Sequence, residues 1–253
     1  MNSHFKIFIP FYNVENWIAR TVRSVKGQDY KNFECILVND MSTDKSLEIL
    51  EKEIANDNRF KVICNAEKRY VIENMYTAFD LCKPNKENIV VVLDGDDWFS
   101  RRNILSTLKE TYDRENCWFT YGSYVEFPSM TVGKFAKQIP QEVIQSNSIR
   151  QYPWVTGHLQ TFKYGLWESI DREKSFKEPT TPDKEYHFMY GWDLAWVIPL
   201  VELAGERAHY VSDILYVYNR ENPLNCDKIK HQQQLLTEQT VRGMEKYEPL
   251  ESL

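Results

Sequence analysis

Glycine is scarce in this chain of 253 residues: there are nine, and none falls into a G-x-G-x-x-G or G-x-x-x-x-G-K-[ST] pattern. The glycine-rich loops that cradle phosphate through backbone N–H groups are thereby excluded, and a phosphate ligand would need a counter-charge of another kind. Cysteine is sparse too. Cys35, Cys64, Cys82, Cys117 and Cys226 are odd in number and lack close pairing, so neither a disulfide framework nor a zinc knuckle follows, and a reducing compartment is expected. Long apolar runs are missing: no window approaches about 18 consecutive apolar residues. The opening MNSHFKIFIPFYN enters a strand-like run without the basic segment and apolar core of a leader. A cytoplasmic protein with no transmembrane segment is the expectation. An excess of basic charge is also absent, with 31 Lys and Arg against 37 Asp and Glu and a net charge of -6. That leaves no overall electrostatic footprint for a nucleic-acid backbone, and no nucleic-acid partner is expected.

What the chain does have is alternation. Short apolar runs at 5–10, 33–39, 60–65, 88–94 and 118–125 read as strands, and the intervening 14–26, 44–56, 70–82 and 101–114 carry helical periodicity. Asp44 or Ser42 is positioned to cap the second helix. A βαβα order predicts an α/β fold, a mostly parallel sheet with helices on both faces and ligands outside the carboxyl ends of its strands. Further along, 126–150 is weakly patterned and the charged DREKSFKEPTTPDKE (171–185) reads as an exposed loop. A helix is expected at 193–204, with Pro199 kinking or bounding it, then a strand at 208–219 and a polar helix at 228–246.

Three polar clusters directly follow strands: PFYN (10–13), NDMSTD (39–44) and DGDDW (94–98). In a parallel sheet they share one rim, which points to a ligand there rather than to scattered solvated loops. Asp94, Asp96 and Asp97 repel one another unless something positive sits among them. A hard divalent cation, Mg2+ or Mn2+, prefers carboxylate oxygen and keeps positions for phosphate and water, so the acidic cluster reads as a metal site for a diphosphate. The bland alternative is one helix cap with two solvated neighbours.

With these residues in view, the sequence resembles the family 2 glycosyltransferases of GT-A fold. FKIFIPFYNVENWIARTVRSVKGQDYKNFECILVNDMSTDKS is similar to that family's opening of strand, P-x-Y-N, helix, S-V-x-x-Q-x-Y, strand and D-D-G-S-T-D-x-S, and VVVLDGDDWF is similar to its D-x-D-D segment. The resemblance is dense over 5–125 and thin beyond. It implies one GT-A domain over 1–253, with a nucleotide-sugar-binding half (1–125), an acceptor-binding and catalytic half (126–227) and a C-terminal helical tail (228–253). It further implies that Pro10, Tyr12 and Asn13 frame the base and that Asp40 holds it, for which a carboxylate accepting from uracil N3–H is suited. Arg69 would help with base or phosphates, Asp94 would lie near ribose or metal, and Asp96 with Asp97 would bind the cation. A turn role remains the alternative for Asp40. Asn39 and Met41 depart from the family's Asp and Gly, and the glycine and arginine usual in 65–74 are missing.

In the second half, YGWDLAWVIPLVELAG (190–205) and ILYVYNRENPLN (214–225) resemble the family's G-E-D-x-x-L-x-x-R-L helix and the strand after it. That assigns Asp193 as the base, set among Tyr190, Trp192 and Trp196, where partial desolvation would raise its pKa. Trp192 stands where the family has Glu, and an Asp opening a helix is also a common cap. Trp154, His158 and Trp192 are expected on the acceptor side, with Trp167 as a further aromatic, because aromatic faces stack on sugar rings; an aromatic core is the alternative. Asn222, Asn225 or His231 would close the metal or phosphate side. The expected function is metal-dependent, inverting transfer of a sugar from a nucleotide-diphosphate donor, UDP-linked, to a carbohydrate or glycoconjugate acceptor. The competing readings are a nucleotidyltransferase, an aspartyl phosphatase and a catalytically silent nucleotide-sugar-binding protein.

Overall fold

The run FKIFIPF forms β1 (Phe5–Phe11), and all seven of its residues are buried. A strand covered on both faces reads as a nearly continuous apolar run rather than as alternation, and the one charge here, Lys6, is buried against Glu34 of the next strand. Its side chains nevertheless divide: Phe5, Ile7 and Ile9 enter one core and Phe8 the other. The computed structural model describes residues 4–176 and 188–253.

After β1 come α1 (Ile18–Lys26), β2 (Phe33–Asn39), α2 (Ser46–Ile54), β3 (Phe60–Cys64), α3 (Tyr70–Cys82) and β4 (Ile89–Val92). β5 (Trp98–Phe99), α4 (Ile104–Glu115), β6 (Phe119–Phe127), β7 (Thr131–Val132) and α5 (Gln141–Gln145) follow. The remainder holds β8 (Thr161–Lys163), α6 (Tyr164–Glu168), α7 (Arg172–Phe176), α8 (Trp192–Ala204), β9 (Ala208–Asn219), α9 (Cys226–Ile229) and α10 (His231–Gly243). Among the described residues the strands make one nine-stranded sheet in the order β3-β2-β1-β4-β8-β6-β9-β5, with β7 on β6. β3, β2, β1 and β4 are parallel, and β6 is parallel to β9. β8 runs against both β4 and β6 and joins the two halves.

Helices cover both faces. α1 turns Ile18, Val22 and Val25 inward, at helical spacing, against the core that contains Leu37, Leu50, Ile104 and Leu108. On the opposite face α3 and α8 pack with Phe162, Trp167 and Trp196. α8 is buried from Leu194 to Ala204 and keeps its helix through Pro199, so packing outweighs the backbone bond that proline cannot make. A buried bidentate pair fastens this layer: Arg150 Nε and Nη2 lie 2.6 and 2.8 Å from the Glu202 oxygens.

Several sequence expectations are corrected. The second helix begins at Ser46 with Lys45 in the cap position, two residues after the expected start at 44, and Asp44 Oδ1 accepts from the Ser46 N–H at 2.9 Å. The single helix expected at 228–246 is two, α9 and α10, parted at Lys230 (φ -136°, ψ 28°). Residues beyond Gly243 are not helical; they return to α8, with Leu250 N–H bonded to Leu203 O at 2.9 Å. Within the expected loop 171–185, Arg172–Phe176 is the short helix α7, and 177–185 lies outside the described residues.

Candidate active site

PFYN and NDMSTD interlock at the carboxyl ends of β1 and β2. Asn13 N–H donates to Ser42 Oγ (3.0 Å), Asn13 Oδ1 accepts from Thr43 N–H (2.8 Å), and Ser42 N–H donates to Asn39 Oδ1 (2.8 Å). Asn13 and Met41 both take positive φ, 51° and 68°, to make these turns. Pro10 is buried within β1, while Tyr12 stays exposed with the Lys68 ammonium 3.1 Å from its ring centroid. Asn13 therefore secures the loop.

Asp40 is buried and already surrounded by donors. Its Oδ1 accepts from Asn65 Nδ2 and Arg69 N–H, both at 2.8 Å, and its Oδ2 from Tyr70 N–H at 3.0 Å with Lys68 Nζ at 3.6 Å. Those three hydrogen bonds take most of the carboxylate's acceptor positions. Asp40 thus fixes the 65–70 loop, a task not expected from the sequence. Arg69 takes part through its backbone; its exposed guanidinium pairs with Glu67 at 3.5 Å.

The acidic loop after β4 is drawn tightly against β1, where Gly95 N–H bonds Pro10 O at 3.1 Å. Only glycine fits: a Cβ on residue 95 would stand 2.5 Å from Phe11 Cβ. The three aspartates then separate. Asp97 points inward, with Oδ2 accepting from the Tyr216 hydroxyl (2.5 Å) and Oδ1 from Asn219 N–H (2.7 Å). Asp94 and Asp96 remain half-buried, and Asp96 Oδ2 accepts from Asn222 Nδ2 at 2.6 Å. Withdrawal from water raises the pKa of all three; Asp94, further repelled by Asp96 and Asp193, is pushed up to about 7. Of the expected cation pair Asp96 and Asp97, Asp97 is thus already engaged by two protein donors.

Among the described residues no group of three or more His, Cys, Asp or Glu side chains is arranged to hold a metal ion. Asp94 and Asp96, half-buried and repelling each other, with Lys228 acting on Asp96, nevertheless fit a Mg2+ or Mn2+ ion of the kind held by one or two carboxylates together with substrate phosphates. The residues present accommodate such an ion.

Asp193 opens α8 one residue after its first position, following Gly191 at φ 67°. Burial pushes its carboxyl up to about 6, with Glu238 of α10 adding repulsion and the Leu194 N–H opposing. It lines a cavity of about 630 Å³ together with Trp154, His158, Tyr218, Arg220 and His231. His158 is stacked parallel to Tyr216 (4.5 Å between centroids, 11°), and burial brings its pKa down to about 4, so it stands neutral in the wall. Trp154 and His158 thus share a cavity with Asp193 as expected. Trp192 instead stacks on Trp196 against the core, and Trp167 packs between Phe162 and Phe176 in the core itself. Asn225 Nδ2 bonds Asn219 O at 2.8 Å, holding its own loop.

A family model described as Glycosyl transferase family 2 matches residues 6–172. This chain belongs to that family. Glycosyltransferase GlyA of Streptococcus pneumoniae serotype 4 is 25% identical to this family 2 chain over 226 residues, which are 84% of this chain and 30% of GlyA. Staphylococcus aureus TarS superposes with a TM-score of 0.66 at 19% identity, covering 97% of this chain and 41% of TarS. A shorter TarS, residues 1–349, has been solved with UDP-GlcNAc (TM-score 0.62, 18% identity, 87% of this chain and 59% of that one). The mannosyltransferase PcManGT from Pyrobaculum calidifontis, in complex with GDP-Man and Mn2+, gives a TM-score of 0.65 at 19% identity over 96% of this chain and 66% of its own. These likenesses show the GT-A fold. The chain spans less than half the length of GlyA and of TarS. Among the described residues no helix is long and apolar enough to cross a membrane.

Sequence reasoning missed Lys68, Asn65, Tyr216 and Glu238. Tyr216 and Tyr218 carried a signal, two aromatics at period two in the strand that follows the Asp193 helix. Lys68 and Glu238 carried none.

Proposed function

We propose that this family 2 glycosyltransferase moves a sugar from a nucleotide-diphosphate donor, UDP-linked, to a hydroxyl of a carbohydrate or glycoconjugate, with inversion at the anomeric carbon. The observation that carries this reading is the nearness of Asp193 to the acidic loop: together with Asp96 it adds to the charge repulsion that raises Asp94. The TarS complex with UDP-GlcNAc supports the choice of UDP, and the Mn2+ in PcManGT supports a divalent ion. Asp94 and Asp96 would hold that Mg2+ or Mn2+ ion, which supplies positive charge against the leaving diphosphate.

The chain's own residues do the rest. Tyr12 offers an exposed ring for the base, and Asp40 fixes the loop of Lys68 and Arg69 beside it. Trp154 and Tyr218 give the acceptor cavity apolar faces suited to sugar C–H surfaces. Asp193, deprotonated at neutral pH, accepts the proton of the acceptor hydroxyl as its oxygen attacks the anomeric carbon; the bond from that carbon to the diphosphate oxygen breaks, and the diphosphate leaves with the electron pair. Attack from the face opposite the leaving group inverts the centre.

A thermal-shift screen of nucleoside diphosphates and nucleotide sugars, with and without Mn2+, tests the donor assignment. UDP or a UDP-sugar with Mn2+ should raise the melting temperature, since a ligand selective for the native state stabilises it by mass action. A shift with none of them, or equally with UDP in the absence of metal, would remove the basis of the assignment.

A further inference from the structure

Tyr216 is fully buried in β9, yet its hydroxyl serves the acidic loop. It donates to Asp97 Oδ2 at 2.5 Å and receives the Asp94 N–H at 3.4 Å. One oxygen thus holds both ends of the DGDD turn. The backbone adds to this clamp, because β5, which begins one residue after Asp97, pairs with β9 in a register that sets Phe99 opposite Tyr216. The ring has a second use. It stacks on His158, which lines the cavity containing Asp193.

We propose that Tyr216 is a positioning residue for sugar transfer, turning Asp97 inward so that Asp94 and Asp96 face the cleft and linking this loop to the His158 wall of the acceptor cavity. The inference rests on the donor-site reading above. A tyrosine serving only as core filler could be exchanged for phenylalanine at the cost of packing alone. Here the lost hydroxyl would leave a buried carboxylate short of one donor and the Asp94 N–H short of its acceptor, so the loop would relax where the donor binds.

The test is calorimetric titration of UDP with Mn2+ into the wild-type chain, Tyr216→Phe, Asp97→Asn and the double variant. Tyr112→Phe is the control. Tyr112 is also buried, and its hydroxyl bonds Thr161 Oγ1 at 2.9 Å away from the acidic loop. Tyr216→Phe should weaken UDP roughly tenfold or more, as expected for a hydrogen bond to a charged group. Asp97→Asn should do the same, and the double variant should be no worse than either single one because the pair acts as a unit. Tyr112→Phe should keep wild-type affinity even where its melting temperature falls. In wild type, UDP with Mn2+ should also shift the His158 imidazole resonances, and this shift should shrink in Tyr216→Phe. Wild-type affinity in Tyr216→Phe, strictly additive losses, or unmoved His158 resonances on binding to wild type would overturn the inference while the donor site stands. Failure of the wild-type chain to bind would overturn the donor-site reading and this inference with it.

Discussion

Replacing Asp193 with Asn keeps the size of the side chain and removes its capacity to take a proton. Burial lifts its carboxyl from the ordinary 3.8 to about 6, so in the native protein it is mostly ionised at pH 7 and largely protonated below pH 5. Transfer by wild type should therefore be level above pH 7 and fall tenfold per pH unit below about 6, and Asp193→Asn should lose about 10^2–10^4 in rate together with that acidic limb. Stability should move the other way. A folded-state pKa above the unfolded one contributes stability that is fully present below 3.8 and lost as pH rises through about 6. The ionised carboxylate thus penalises the native state at neutral pH, by at most about 3 kcal/mol for this displacement and roughly 1–2 after allowing for solvent at a half-buried group. Since Asn carries no such charge, the variant should melt a few degrees higher at pH 7, at about 2–4 °C per kcal/mol, and no higher at pH 3.5. Nucleotide release at saturating donor across pH 4.5–8.5, with melting curves at both pH values, provides the assay. Near-normal transfer by Asp193→Asn would refute the role of this carboxylate.

Asp96→Asn should abolish metal-dependent UDP binding in a calorimetric titration yet leave the melting temperature at or above wild type, because the charge it removes is one that burial already disfavours. Gly95→Ala should weaken the same binding more than tenfold, since the added Cβ meets Phe11 Cβ at 2.5 Å and forces the acidic loop off β1. Asp40→Ala should lower both stability and UDP affinity, by about 1–3 kcal/mol for the donors it strands; reduced affinity at unchanged stability would return Asp40 to direct contact with the base. Glu202→Ala leaves the Arg150 guanidinium buried and unpaired, and should cost about 3–5 kcal/mol, read as a fall of roughly 10 °C or more in melting temperature.

The parts of the fold that were legible are those whose burial leaves a period in the sequence. β4 is covered on both faces and reads as an unbroken apolar run, β1 and β2 are interrupted within the run only by Lys6 and Glu34, which pair with each other, and the β9 expected at 208–219 is the strand observed. β5 and β8 have two and three residues, too few to show any period, although β8 is the strand that joins the halves of the sheet. At the site, the placement of Asp94, Asp96 and Asp97 followed from acids succeeding a buried strand. Which of them is buried did not, because Asp97 is turned inward by Tyr216 and Asn219, which lie 119 and 122 residues further along the chain. The partners of Asp40 were hidden for a similar reason: Asn65, Arg69 and Tyr70 come from another loop. Trp154 and Trp192 look alike in sequence, yet only the backbone path sends one to the cavity and the other onto Trp196.

The most direct test of sugar transfer itself is proton NMR of the chain incubated with α-linked nucleotide sugars, Mn2+ and a panel of mono- and oligosaccharide acceptors. The account predicts loss of the donor's anomeric signal, release of the nucleoside diphosphate and a new anomeric signal with β coupling, all slowed at least a hundredfold in Asp193→Asn. A new signal with retained α coupling would contradict the single displacement, and donor left intact with every acceptor would contradict sugar transfer by this chain.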